Sequence, residues 1–172
     1  NLLLRTKVVG DGEALSRDGE RTLDAALRIA TELKGDVLAI QGPPGTGKSY
    51  SGAHVICDLV AKGKKVGITA NSHKVIRNLI DAVLKQAEKN MQELECIQKP
   101  ASGNDEPNQP RLTFARGNGD LLEALADGTA QIAGATPFLW SREDAMESLD
   151  VLVVDEAAQM SLANVVAITG AA

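Results

Sequence analysis

The sequence predicts an α/β domain in three layers, a mostly parallel central sheet with helices on both faces. Short apolar runs of strand length alternate with longer stretches whose apolar residues recur at helical spacing, the pattern of parallel strands joined by crossover helices. A glycine-rich loop stands between one such run and one such helix, at residues 42–49. Two adjacent acids, Asp155 and Glu156, end the last run, and open parallel sheets keep their ligand sites at strand ends of this kind.

In chain order, a first helix is expected over residues 19–34, where Leu23, Ala26, Leu27, Ala30 and Leu33 share one face. Asp18 is its candidate cap and Gly35 its terminator. Residues 36–41, Asp-Val-Leu-Ala-Ile-Gln, read as a short buried strand. After the glycine loop, Val55, Ile56, Leu59 and Val60 mark a helix that Gly63 stops. Residues 65–70 read as the next strand, and Ser72 caps a helix with Val75, Ile76, Leu79, Ile80, Val83 and Leu84 on its inner face. From 99 to 111 the chain turns to Pro, Asn, Gly and charge, the composition of an exposed loop. Strands are expected again at 130–136 and 149–154, then a helix over 162–168. Residues 1–35 thus precede a nucleotide-binding domain at 36–172, with an insertion at about 86–117.

The loop Gly42-Pro43-Pro44-Gly45-Thr46-Gly47-Lys48-Ser49 has the spacing of a phosphate-binding loop. Glycines let the backbone curl round an anion and aim its N–H groups inward, and the helix that follows presents its N-terminus to the same anion. Lys48 supplies a mobile positive charge for the β- and γ-phosphates of ATP, and the Ser49 hydroxyl is a ligand for Mg²⁺. Gln41 and Tyr50 flank the loop and complete the candidate nucleotide-binding set. At the far strand end, Asp155 is the second candidate metal ligand, Glu156 the candidate base that deprotonates the attacking water, and Gln159 a sensor of that water or the γ-phosphate.

These residues, together with Ala157 and Ala158 between the acids and Gln159, resemble the first motor domain of superfamily 1 helicases. The nearest group is that of the nonsense-mediated-decay helicase and the replication nuclease-helicases. The resemblance implies a RecA-like fold, ATP and Mg²⁺ as cofactors, and hydrolysis coupled to movement along single-stranded nucleic acid, DNA before RNA. Thr69-Ala-Asn71-Ser72-His73 matches that family's motif Ia, and Gly134-Ala-Thr136 a later motif that also touches the strand. Chemistry agrees for the first, since hydroxyls and free N–H groups between a strand and a helix start can reach phosphate oxygens. Lys62, Lys64, Lys65, Lys74 and Arg77 make the surrounding stretch basic. Residues 1–40 contain no Gln, the residue that commonly reads adenine upstream of the loop in that family. The resemblance also implies a longer parent chain with a second motor domain. The residues leave two alternatives open, an AAA-type ATPase acting on proteins and a nucleotide-gated module that never hydrolyses.

Composition narrows the class further. A net charge of −5 argues against a wholly basic nucleic-acid-binding surface and leaves room for a local patch. Tyr50, Phe114, Phe138 and Trp140 are the only aromatics, so the core is aliphatic; Phe138 and Trp140 are expected in it, with base stacking as the functional alternative. Cys57 and Cys96 are far apart and signal neither metal site nor disulfide. No apolar run is long enough to span a membrane, and a cytoplasmic protein is expected.

Overall fold

Val66–Thr69 (β1), Cys96–Gln98 (β2), Leu112–Phe114 (β3), Ile132–Gly134 (β4) and Val151–Val154 (β5) form one sheet in the order β3-β2-β4-β1-β5. Every pairing in it is parallel. The structure, a computed structural model, describes residues 15–43, 45–101 and 107–172. Six helices accompany the strands among these: Thr22–Glu32 (α1), Lys48–Ala61 (α2), His73–Lys89 (α3), Asn118–Asp127 (α4), Pro137–Trp140 (α5) and Leu162–Ile168 (α6). None is long and apolar enough to cross a membrane.

The register divides the side chains between two cores. Val66 pairs with Ile132 on one side and Val151 on the other, and Cys96 links Ile132 to Leu112. This row faces α1, α2 and α3, with Ile56, Leu59, Ile76, Ile80 and Val83 beneath it. The next row along, Gly67, Ala133, Ile97 and Leu152, faces the opposite core with Leu121, Leu125, Leu139, Trp140 and Ile168. Period-two alternation therefore builds the three layers directly. A β-carbon on Gly134 would stand 2.7 Å from Ile76 and from Ile80, so α3 lies close against β4 only because this position has no side chain.

Several sequence expectations coincide with the observed elements. β1, β4 and β5 fall within the expected runs, α6 has the expected bounds, and Ser72 caps α3 by accepting the Val75 N–H at 3.2 Å. Gly63 ends α2 with φ +78°.

Other expectations are corrected. α1 begins at Thr22, after a turn at Gly19 (φ +74°), and its N-cap is Arg21 rather than Asp18. The Glu20 carboxylate occupies the local donors instead, accepting from the Arg17 N–H at 2.8 Å and from Arg28. Residues 36–41 belong to no strand: they join no ladder, and Val37 and Ile40 remain exposed. Hydrophobicity alone does not make a strand: the run must also pair with a neighbour, and this segment does not pair with β5, the strand that ends the sheet.

Residues 86–117, expected as an insertion, instead carry the end of α3 and two sheet strands, β2 and β3. Of the expected exposed loop, residues 102–106 lie outside the described residues. The sequence also gave no warning of α4, whose first turn is closed by Asp120 accepting the Gly117 N–H at 3.0 Å, or of the single turn α5. Phe138 is 74% exposed and so is not core, whereas Trp140 is buried.

Cys57 and Cys96 are both buried, and burial pushes the Cys57 thiol up to about 11 and Cys96 higher still. Both stay unreactive to a thiol reagent at pH 8 until the protein is denatured, as a timed labelling assay would register. Gly134→Val should lower stability by roughly 1–3 kcal/mol through overpacking against Ile76 and Ile80, measured as a fall in the urea midpoint.

Candidate nucleotide and nucleic-acid site

The glycine loop is built for concavity. Gly45 and Gly47 adopt φ of +80° and +85°, the left-handed region where a side chain would be strained, and Gly47 is the N-cap of α2. A β-carbon on Gly42 would come within 2.6 Å of the Thr46 hydroxyl, so the loop closes on itself only with glycine there. Thr46 Oγ1 donates to the Pro43 carbonyl at 2.7 Å. Lys48 Nζ donates to the Gly42 and Pro43 carbonyls at 2.8 and 3.0 Å, which folds the amine across the loop. Gln41, Ser49 and Tyr50 are exposed beside it, and Pro44 lies outside the described residues. The Tyr50 ring stacks at 4.1 Å, tilted, on His54, one helical turn further along. His54 escaped the sequence reading, although its spacing of four from Tyr50 is the available signal.

Chain geometry brings this loop and the acid pair to the same side. Only residues 62–65 join α2 to β1, so the helix runs back antiparallel to the strand. Its 14 residues rise about 1.5 Å each, more than the length of β1. Val151 and Val153 of β5 face the core that α2 shares, so alternation directs Asp155 to that face as well. The Asp155 N–H donates to the Thr69 carbonyl at 2.9 Å, which extends the β1–β5 ladder by one bond.

Beyond it the backbone bends sharply. Glu156 has φ +51°, unusual for a residue with a side chain, and Asp155 Oδ1 accepts the Glu156 N–H at 2.9 Å. A short 3₁₀ turn, Ala157–Gln159, then brings the Gln159 amide back onto Glu156, where Nε2 donates to Oε2 at 2.7 Å. Met160 is buried just after and anchors the turn.

The segment after β1 lies next to this turn. Thr69 is fully buried with its hydroxyl unpaired by any hydrogen bond among the described residues, so it sits below the surface that Asn71 and Ser72 present. Asn71 Nδ2 donates to the Gln159 carbonyl at 2.6 Å. His73 Nδ1 donates to the Lys99 carbonyl at 2.9 Å, while Gln98 donates to the His73 carbonyl at 3.3 Å. Thr136 follows β4 as the N-cap of α5, in line with Ala70 across the parallel register. The Trp140 indole N–H donates to the Ala135 carbonyl at 3.1 Å and fixes that turn from below. Lys99, which donates to the Arg116 carbonyl at 2.7 Å, was not singled out in the sequence; its only signal is its position after an unrecognised strand.

Comparison with known proteins now bears on this arrangement. Residues 39–171 match the model of the family described as "RNA cytidine acetyltransferase NAT10/TcmA, helicase domain". The chain belongs to this family. It is a helicase-like domain of the nucleotide-dependent kind. A 75-residue stretch is also 27% identical to the DNA polymerase alpha-associated DNA helicase A of Schizosaccharomyces pombe, covering 44% of this chain and 11% of that protein.

The basic stretch of this helicase domain is not one patch. Lys62, Lys64 and Lys65 lie at the amino end of β1, opposite to Ser72 and His73. Lys62 pairs with Asp58 at 2.6 Å and Lys64 with Asp150 at 3.1 Å. Arg77 pairs with Asp81 at 2.7 Å and lies over the Phe114 ring at 5.3 Å. Ser72→Ala should cost about 1 kcal/mol by removing the α3 cap, read as a lower melting temperature, with the fold retained.

Proposed function

We propose that this domain binds Mg-ATP at the glycine loop and hydrolyses it to drive single-stranded RNA across the carboxyl edge of its sheet. The reading is supported by the anion-shaped glycine cradle that opens α2, together with an acid pair at the end of β5, whose Val151 and Val153 pack in the core that α2 shares. Strained backbone of the sort found at Glu156 persists where function uses it.

The residues present fit the nucleotide and its metal. The two left-handed glycines and the free first turn of α2 supply N–H groups for phosphate oxygens. Lys48 exchanges its two carbonyl partners for the β- and γ-phosphates. Ser49 and Asp155 would hold Mg²⁺, a donor set of one hydroxyl and one carboxylate that suits a hard cation completed by phosphate and water oxygens. When bound, the ion offsets negative charge that develops on the transferred phosphoryl group. Glu156 orients the attacking water and takes its proton, and the Gln159 amide lies against its carboxylate. Tyr50 offers a ring beside the loop for the base.

Asn71, Ser72, His73 and Thr136 form the strand-contacting edge, through side-chain amide, hydroxyl and imidazole groups and the N-terminus of α3. The family description favours RNA as the polymer. The relative in fission yeast, described as a DNA helicase, favours DNA as a second reading. Competition between single-stranded RNA and DNA of one sequence separates them, with tighter RNA binding expected.

Lys48→Ala should abolish measurable Mg-ATP binding in titration calorimetry while the melting curve is retained. Unchanged affinity would remove the basis of the assignment.

A further inference from the structure

We infer that Asn71 is a positioning residue for hydrolysis, tying the strand-contacting segment after β1 to the Glu156 carboxylate through Gln159. The inference rests on the proposed function and adds a link between its two halves.

Three observations carry it. Asn71 and Gln159 are distant in sequence, yet Asn71 Nδ2 meets the Gln159 carbonyl at 2.6 Å, and Asn71 is exposed at the edge where a strand would pass. The same Gln159 spends its side-chain amide on Glu156 Oε2, at 2.7 Å. Glu156 itself is held at φ +51°, a conformation that relaxes readily once its restraints are lost. The chain of bonds therefore keeps the Glu156 carboxylate turned toward Gln159 while Asn71 is engaged.

A nucleic-acid phosphate or ribose hydroxyl that takes the Asn71 amide withdraws one restraint from the Ala157–Gln159 turn. Gln159 then releases the carboxylate to the water. Asn71 acts through its neighbours in this scheme and touches no reacting atom. The bond between the two segments is short and direct, and no element intervenes.

The test is Asn71→Ala in the full-length protein that carries this domain, with ATP turnover measured across a titration of single-stranded RNA. Turnover without RNA should rise, and the stimulation by saturating RNA should shrink by roughly fivefold or more, the usual range for coupling between two sites. Asn71→Gln, which keeps the amide donor, should restore most of the stimulation, and Gln159→Ala should mimic Asn71→Ala in the absence of RNA. If Asn71→Ala raises only the RNA concentration needed for half-stimulation, Asn71 is a strand contact and the inference fails. A proportional fall of both rates with a lowered melting temperature also overturns it, as the sign of a purely structural bond. An unsubstituted protein that does not turn over ATP defeats the proposed function and this inference together, whereas unaltered stimulation in Asn71→Ala defeats this inference alone.

Discussion

The parallel ladder between β1 and β5 fixes the acid pair, because it runs one bond past the end of β5. The Asp155 N–H to Thr69 carbonyl bond at 2.9 Å pins the acid pair against the segment that leads to Asn71. On the other side of β1, the Ala135 N–H donates to the Ile68 carbonyl at 3.0 Å, and the Lys99 N–H to the Gly134 carbonyl at 2.9 Å. Buried backbone groups left unpaired are costly, so each of these bonds is effectively obligatory. Three segments of remote sequence thereby leave the sheet side by side, and the order of the strands decides which chemistry meets which.

Much of this was legible in the chain because the elements concerned are long or chemically demanding. α2 and α3 present whole turns of apolar residues, and β1, β4 and β5 are runs that only a doubly covered sheet can bury. The glycine loop and the acids were legible for a different reason: an anion and a metal require residue types that few other structures require in that order. β2 and β3 were not legible. Each has three residues, and Gln98 in β2 is a polar side chain in a fully buried position. The run at 36–41 misled in the opposite sense, since its hydrophobicity indicates a strand but pairing is a property of the neighbouring edge. The bond from Asn71 to Gln159 could not be read at all, because its acceptor is a main-chain carbonyl and carries no residue signature.

Charge gives a further physical constraint on how the edge engages a polymer. The cations read from sequence as one cluster are divided between the two ends of β1, and Lys62, Lys64 and Arg77 each face a carboxylate within 3.1 Å. Such exposed pairs contribute little to stability, but they cancel the field that a phosphate backbone would feel at a distance. With a net charge of −5, the strand contact proposed above would draw on groups at the edge itself: the α3 N-terminus, the Ser72 and Thr136 hydroxyls, the Asn71 amide and the exposed Lys74. Binding built this way depends less on salt than binding to a basic groove, and more on the local shape of the backbone presented.

The glycine loop shows why such an edge can wait without a ligand and still be ready for one. Its two left-handed glycines already have the conformation that aims N–H groups inward, and α2 begins at once with the Ser51 N–H bonded to the Gly47 carbonyl at 2.9 Å. The Lys48 amine satisfies the Gly42 and Pro43 carbonyls at 2.8 and 3.0 Å. Exchanging two neutral carbonyls for phosphate oxygens would give the Lys48 ammonium anionic acceptors and add charge–charge attraction to bonds that are already charge-assisted. The cradle therefore needs only a side-chain swing to accept an anion, while the acid pair is held by backbone bonds that do not move with it. Rigidity in the sheet and freedom in one amine are complementary requirements, and the loop sequence meets both.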